Sequence, residues 1–172
     1  PLYMGFESGF KNNQASEDRV SIEGGPFADG TTQHISKITL NLDQWYNQDS
    51  RYQRVAKMFC PHHATEETIE GTGNNLGTDT EMDKCKHAKG AAREEGVVGH
   101  SQKLSRIREE DKPIILRRDF DSTDDGQAGL HFLALQRQIS DFVKTREAMN
   151  GTDLTEQSAV GQRNNNGILQ YI

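Results

Sequence analysis

Two segments of the chain carry apolar residues in patterns typical of β-strands. From Thr32 to Leu42 the sequence alternates, which predicts a strand with one buried face. Alternate positions on that face carry His34, Ser36, Ile38, Leu40 and Leu42. The segment from Gly129 to Gln136 is apolar at both sets of alternate positions. It therefore predicts a central strand that is covered on both sides.

Three segments have the spacing of helices. Ser50 is a suitable N-cap for residues 51–59, where Tyr52, Val55, Ala56 and Phe59 fall on one helical face. Asp43 is a suitable cap for a short helix that carries Trp45 and Tyr46. A third helix is predicted over residues 139–149, with Ile139, Phe142 and Val143 inward and Asn150-Gly151 at its end.

The remaining elements complete a recognised order. Residues 114–116 predict a short buried strand that ends at Arg117, and residues 167–172 predict a terminal strand. The order strand, helix, strand, strand, helix, strand predicts an α+β fold of the ferredoxin-like βαββαβ type, as in dimeric α/β-barrels. Its sheet has four antiparallel strands with the helices on one face. We expect residues 1–30 to be irregular and residues 31–172 to form one domain with a long insertion at 60–98.

Charge and hydropathy exclude two classes of partner. The net charge of −6 and the pI of about 5.5 argue against nucleic-acid binding, which needs a basic surface. No run of apolar residues is long enough to predict a membrane span. These features leave a small-molecule site or a protein partner as the classes to consider.

The predicted insertion contains thiols and imidazoles in two short windows. They are Cys60, His62, His63, Cys85 and His87. Two cysteines and two histidines are a sufficient ligand set for tetrahedral zinc. The same two cysteines are also able to form one disulfide across the insertion, or to remain as free thiols. The sequence leaves these three alternatives open.

Several blocks of sequence together resemble a known family. Gly-Phe-Lys-x-x at residues 9–13 precedes the first strand, His100 follows the insertion, and Ile-Leu-Arg-Arg occupies residues 115–118. Ala-Gly-Leu-x-Phe-x-Ala-x-Gln-Arg then fills residues 128–137. This order resembles the dye-decolourising (DyP-type) haem peroxidases, in particular their deferrochelatase-like branch. The resemblance covers the chain except residues 60–98 and is to the second of the family's two ferredoxin-like domains.

The resemblance implies a haem b site and a role for several residues. His100 would be the proximal iron ligand, and Arg117 would stabilise developing negative charge on the distal side. Arg118 would face the opposite way on the strand and reach a haem propionate or solvent. Asn12 falls where the family has its distal aspartate, and a carboxamide cannot transfer a proton as a carboxylate does. Glu17 and Asp18 are nearby carboxylates that would be available to replace it.

Three functions follow from these expectations. The first is a haem peroxidase that uses hydrogen peroxide and a reducing substrate, and the second is a haem- or metal-binding domain without efficient turnover. The third is a pseudo-enzyme that holds structural zinc at Cys60, His63, Cys85 and His87. The resemblance also implies an exported protein. The open face of the predicted sheet predicts association with a partner, either a second ferredoxin-like domain or another copy of the chain.

Simpler interpretations exist for the same residues. His100 is also compatible with a surface loop, and Arg117 with an ion pair to Asp119 or Asp121. His131, within the predicted central strand, is expected to be a buried structural histidine and is a reserve haem ligand. His34 on the first strand is expected to be structural.

Overall fold

The computed structural model describes residues 2–6, 14–61, 88–110, 112–155 and 167–172. These residues form a mixed α+β structure with one three-stranded antiparallel sheet. Its strands are β1 (Thr32–Thr39), β2 (Leu116–Ser122) and β3 (Gly129–Gln136). The α-helices are α1 (Glu17–Val20), α2 (Leu42–Gln48), α3 (Arg51–Met58), α4 (Ala88–Glu94), α5 (His100–Ser105), α6 (Ile139–Asn150) and α7 (Thr152–Thr155). Two 3-10 turns lie at Asp124–Gly126 and Leu169–Tyr171.

Strand β3 is the central strand, with β1 and β2 on its two sides. Ala134 pairs with His34 on one side and with Arg117 on the other. Directly paired residues of antiparallel strands point to the same face, and side chains alternate along each strand. Therefore His34, Ala134 and Arg117 share one face, which we call the inner face.

The inner face is covered by helix α6. The His34 ring stacks on Phe142 of α6, with ring centroids 3.6 Å apart and planes inclined by 16°. Thr145 and Ala148 of the same helix are buried. The opposite, outer face of the sheet exposes Ile35 at 62% and Phe120 at 59%. Among the described residues, the helix that packs on the sheet lies on the inner face.

The largest apolar cluster lies around Trp45, whose side chain is fully buried. Its Nε1 donates a hydrogen bond to the Met4 carbonyl oxygen at 3.1 Å. The Trp45 and Tyr171 rings meet edge to face with centroids 4.8 Å apart. Helices α2 and α3, the 2–6 segment and the 167–172 segment therefore share one core.

Several predicted elements are confirmed. Strand β1 half-buries the predicted face but ends at Thr39, and the predicted strand residue Leu42 instead begins α2. Strand β3 has the predicted bounds. Ser50 caps α3 through its hydroxyl, and Gln53 closes the capping box. Gly151 ends α6 with a φ of 59°, a left-handed conformation that glycine adopts at little cost.

The predicted fourth strand at residues 167–172 is wrong. The segment forms a 3-10 turn, and the sheet of the described residues has three strands. Its apolar residues are used for the core around Trp45 rather than for strand pairing, since Tyr171 is only 2% exposed. The Tyr171 carbonyl oxygen accepts a hydrogen bond from the Asn41 N–H at 2.8 Å, which ties the segment to the start of α2.

Other predictions need smaller corrections. The second strand begins at Leu116 and runs to Ser122, so Ile114 and Ile115 are buried but precede it. Asn41, not Asp43, caps α2, because its side chain accepts the Gln44 N–H. Helix α4, inside the predicted insertion, was not predicted from the sequence. Its buried residues are alanines, which give a weak apolar signal.

Two predicted inward faces are also wrong in part. Ile139 and Val143 of α6 are 50% and 45% exposed, because α6 turns Phe142, Thr145 and Ala148 towards the sheet instead. The outer face of β3 is not covered as expected, and His131 there is exposed. No helix among the described residues is long and apolar enough to cross a membrane.

Candidate functional site

A close backbone contact positions His100 at the first residue of α5. A Cβ placed on Gly99 would lie 2.0 Å from the Phe59 carbonyl oxygen, so only glycine allows this approach. The same carbonyl accepts the Gln102 N–H at 3.2 Å. This contact holds α5 against the end of α3. Gln102 and Lys103 are the buried residues of α5.

Arg117 reaches the same region from the start of β2. The side-chain amide of Gln14 makes two hydrogen bonds to the backbone of Arg117, one to its N–H and one to its carbonyl oxygen, each 2.8 Å long. In this way Gln14 takes the place of a neighbouring strand at the free edge of β2. Arg117 then points to the inner face, while Arg118 points outward and is exposed.

His100 and Arg117 line one small cavity of about 40 Å³ between α5, β2 and α6. Its other walls are mostly apolar or bear hydroxyl groups. The full lining is His100, Ser101, Leu104, Ser105, Ile107, Arg108, Pro113, Ile114, Ile115, Arg117 and Thr145. We call this space the basic cavity, because Arg108 and Arg117 both border it.

Burial and positive charge together keep His100 neutral. Burial lowers the pKa of His100 to about 3, and the positive charges of Arg117 and Lys103 act in the same direction. Burial also lowers the pKa of Arg117, and neighbouring Arg108 adds to the decrease. At neutral pH the basic cavity thus holds an unprotonated imidazole beside guanidinium groups.

Among the described residues, the carboxylate of Asp119 lies close enough to affect the charge of Arg117. Burial raises the pKa of Asp119, while Arg117 opposes the rise. Asp119 is two residues from Arg117 on β2 and therefore shares its face of the sheet. An ion pair between Arg117 and Asp119 was among the sequence alternatives, and in the structure each of the two charges affects the pKa of the other.

Lys103 is a charged residue of this region that the sequence did not reveal. Its side chain is 1% exposed, and its Nζ has no hydrogen-bond partner in the described structure. Burial lowers the pKa of Lys103 to about 8, with a further contribution from Arg106. A lysine three residues after a histidine on a polar helix gives no sequence signal of burial, since lysine is normally exposed.

Most of the remaining predicted site residues are not among those that the structure describes. Asn12, His62, His63, Cys85 and His87 lie outside the described residues. Cys60 is fully buried and is disulfide-bonded, which favours the disulfide alternative over a zinc thiolate at that position. His131 is on the exposed outer face, where its Nε2 lies 2.6 Å from Asp124 Oδ2.

A second cavity is larger but has different chemistry. It has a volume of about 340 Å³ and lies between α3, residues 95–97 and residues 167–170. Lys57 in its wall already donates to Asp49 and Tyr171, and its described lining includes no histidine. The basic cavity therefore remains the candidate site for imidazole chemistry.

The residues of the basic cavity fit haem in chemistry but not in volume. A neutral imidazole is an ordinary axial ligand for haem iron, and a buried guanidinium stabilises negative charge beside it. Ligand pockets typically measure roughly 300–1,000 Å³, whereas this cavity measures about 40 Å³. A porphyrin does not fit inside it as described, and would need additional space next to His100.

Fold and site together define an α+β protein with a small buried cavity that combines a neutral histidine and two arginines. The sequence matches a family of unknown function, DUF7405, over residues 1–172. The match covers the whole chain, so the protein belongs to that family. A comparison with curated proteins finds no match.

Proposed function

We propose that this chain is a haem-binding domain similar to the second domain of DyP-type peroxidases, with His100 as the iron ligand. One observation carries the proposal: His100 and Arg117, from different elements of the fold, line the same cavity, and the imidazole is neutral. A neutral ring nitrogen is free to bind iron without first losing a proton. Haem b would supply redox chemistry with hydrogen peroxide, while Arg117 would hold positive charge at the site.

The strand order supports the finer fold that this proposal needs. The order β1-β3-β2 with antiparallel neighbours agrees with the first three strands of a ferredoxin-like βαββαβ unit. Helices lie between β1 and β2, and α6 follows β3. A fourth strand beside β1 would have to come from elsewhere than residues 167–172.

Turnover as a peroxidase is proposed to be weak because of Asn12. Asn12 lies outside the described residues. Its association with Arg117 comes from the resemblance, in which Asn12 takes the position of the family's distal aspartate. A carboxamide there cannot shuttle a proton between peroxide oxygens, a loss that typically costs about 10²–10⁴ in rate. Arg118, on the outer face, is not proposed as a propionate ligand.

A haem titration tests the binding proposal. The purified chain is titrated with hemin, and the Soret absorbance is followed to saturation. We expect one equivalent to bind, His100→Ala to remove the ligand signature, and His131→Ala to behave as wild type because His131 is exposed on the outer face. Absence of a Soret shift in the wild type, or identical spectra for His100→Ala, would overturn the proposal.

Dye oxidation tests the catalytic part separately. We expect the haem-loaded wild type to oxidise dye slowly with peroxide, and Asn12→Asp to raise the rate by about 10²-fold or more. Asn13→Asp provides a matched control, because it adds the same charge one residue away. An unchanged rate in haem-loaded Asn12→Asp would reject the role of Asn12 and leave the haem site in place.

The partner remains a prediction that the structure does not test. The outer face of the sheet exposes Ile35 and Phe120. A second ferredoxin-like domain or another copy of the chain is the partner that the resemblance implies. Light scattering at increasing protein concentration distinguishes self-association from a monomer, and Phe120→Ser should reduce any self-association through this face.

A further inference from the structure

The second cavity, between α3, residues 95–97 and residues 167–170, is a separate place where a ligand can bind. Its volume of about 340 Å³ lies within the range of roughly 300–1,000 Å³ that is typical of ligand pockets. It shares no described lining residue with the basic cavity. We call it the α3 cavity, and the haem proposal does not involve it.

The α3 cavity has an apolar floor and a polar rim. The lining residues that are buried are small or apolar: Ala56, Pro61, Gly96 and Gly167. The lining residues that are exposed all carry polar groups: Tyr52, Gln53, Glu95 and Gln170. A ligand that matches both parts has an apolar body and one polar end.

The charge of the rim is negative because of Glu95. Arg93, the nearest basic residue along the chain, pairs with Glu94 at 2.7 Å, and among the described residues no basic side chain forms an ion pair with Glu95. Lys57 is also in the wall, but its Nζ lies 2.6 and 2.8 Å from the two carboxylate oxygens of Asp49. Its charge is thus balanced, and the described wall favours a cationic ligand.

Gln170 presents a hydrogen-bond acceptor at the same rim. The Tyr171 hydroxyl donates its proton to Asp49, so it is an acceptor towards Gln170. The amide nitrogen of Gln170 must therefore face Tyr171, which leaves the amide oxygen of Gln170 available. Together with the Glu95 carboxylate, this oxygen suits a ligand end that donates several hydrogen bonds.

The Tyr52 ring adds an aromatic face to the rim. Cations are attracted to the faces of aromatic rings, and the protein already places Arg54 on Tyr46 and Lys57 on Tyr171. Tyr52 is 59% exposed, so its ring is accessible to a cation from outside. A primary ammonium group matches the whole rim, because it is positive and donates up to three hydrogen bonds.

We propose that the α3 cavity is a binding site for a small primary amine with an apolar body, held in its protonated form by Glu95, the Gln170 amide oxygen and the Tyr52 ring. The apolar body lies on the floor, against Ala56 and Val97. The ammonium group stays at the rim, where water still reaches it. This arrangement avoids the full cost of removing a charge from water.

Three aromatic compounds of similar size and different charge test the site. They are 2-phenylethylamine, the neutral 2-phenylethanol and the anionic phenylacetate, each titrated into the haem-free chain at pH 7 and followed by calorimetry. We expect saturable binding of one amine per chain, about tenfold tighter than that of the alcohol, since hydrogen bonds to charged groups are the stronger ones. Equal binding of the amine and the alcohol, or no saturable binding of the amine, would overturn the proposal.

Two single substitutions of exposed residues locate the charge that is recognised. Glu95→Gln should weaken amine binding about fivefold, the upper range for an exposed ion pair. Glu94→Gln is the matched control, because it removes the same charge one residue away from a side chain outside the described lining, and it should bind as wild type. Equal affinities of the two variants would contradict the role of Glu95 and reject the site.

NMR spectra of the wild type locate the apolar body. Nuclear Overhauser effects are expected from the phenyl ring of bound 2-phenylethylamine to the methyl groups of Ala56 and Val97. Their absence at saturation would place the amine elsewhere and reject the site. Because the protein is haem-free, none of these outcomes depends on whether the chain binds haem.

Discussion

Positively charged side chains lie in two inner regions of this protein, and the groups that surround them differ. At the first, which we call the Asp49 network, Lys57 Nζ lies 2.6 and 2.8 Å from the two Asp49 carboxylate oxygens and 2.6 Å from the Tyr171 hydroxyl. Tyr171 in turn donates to Asp49. All three ammonium donors are used, so the charge is fully compensated inside the core.

At the basic cavity, several charges instead act on one neutral imidazole. Arg117 and Lys103 lower the pKa of His100, and the pKa of Arg117 is raised by Asp119 and lowered by Arg108. The Asp49 network is closed on itself, whereas the imidazole of His100 borders open space. The comparison therefore assigns the Asp49 network to stability and the basic cavity to binding.

The largest expected effect comes from breaking the Asp49 network. Asp49→Asn leaves the Lys57 ammonium without its carboxylate, at a position where the two side chains are 6% and 15% exposed. Removing one partner of a buried ion pair costs about 3–5 kcal/mol. Urea denaturation should show a loss of that size in the free energy of unfolding.

An exposed ion pair provides the control for this experiment. Lys37 pairs with Asp125 where their side chains are 45% and 82% exposed. Asp125→Asn should cost about 0–1 kcal/mol. Equal losses in the two variants would mean that the Asp49 network is not a buried, compensated pair.

The next prediction is a gain of stability, because the buried Lys103 ammonium has no hydrogen-bond partner in the described structure. Lys103→Met should stabilise the fold at pH 7, since it removes an amine whose pKa falls from 10.5 to about 8 on folding. One factor of ten in protonation equilibrium is about 1.4 kcal/mol, so the gain should reach roughly 3 kcal/mol. Lys89→Met, at an exposed site of α4, should change little.

The pH dependence of Lys103→Met follows from the same values. The unfolded lysine holds its proton up to about pH 10.5, whereas the folded lysine releases it near pH 8. The destabilisation that the buried Lys103 charge causes in the wild type is therefore fully present below pH 8, decreases between pH 8 and 10.5, and is absent above pH 10.5. Denaturation at several pH values should show the stabilities of wild type and variant converging over that range.

A smaller loss of stability is expected when a side chain is added at Gly99, where α5 lies close to the end of α3. Gly99→Ala places a methyl group 2.0 Å from the Phe59 carbonyl oxygen, so α5 has to move away from α3. Overpacking of this kind typically costs about 1–3 kcal/mol. Gly24→Ala is the matched control, because a Cβ there meets nothing within 4 Å.

Both glycine variants should also be compared in the haem titration. Gly99→Ala displaces the helix that carries His100 and should weaken haem binding. The control should bind as wild type. Unchanged haem binding in Gly99→Ala would show that the position of α5 does not determine where His100 lies.

The sequence predicted those elements whose pattern has one structural solution. The alternation of β1 and the apolar run of β3 each lead to a strand, and both are present. Residues 167–172 include apolar residues too, but a short apolar run is equally compatible with an irregular segment that packs into a core. The contact of Tyr171 with Trp45 favours this second outcome. The alanine-rich α4 lacked the large apolar residues that reveal a helix face.

The candidate site was predictable only in part. The resemblance named His100 and Arg117, and the structure shows that they line one cavity. Arg108 and the buried Lys103 were missed, because each is charged and lies in a polar stretch where exposure is the usual outcome. Gln14 was missed as well, since pairing a side-chain amide with a strand edge leaves no periodic signal.

The protonation state of His100 tests the comparison most directly. NMR spectra of the imidazole nitrogens are recorded for the haem-free chain from pH 7 to pH 4, in wild type and in Arg117→Gln. Because the pKa of His100 is about 3, the account predicts a neutral ring over this whole range in the wild type and a higher pKa in the variant. Protonation of wild-type His100 near pH 6.5, unaffected by Arg117→Gln, would contradict it.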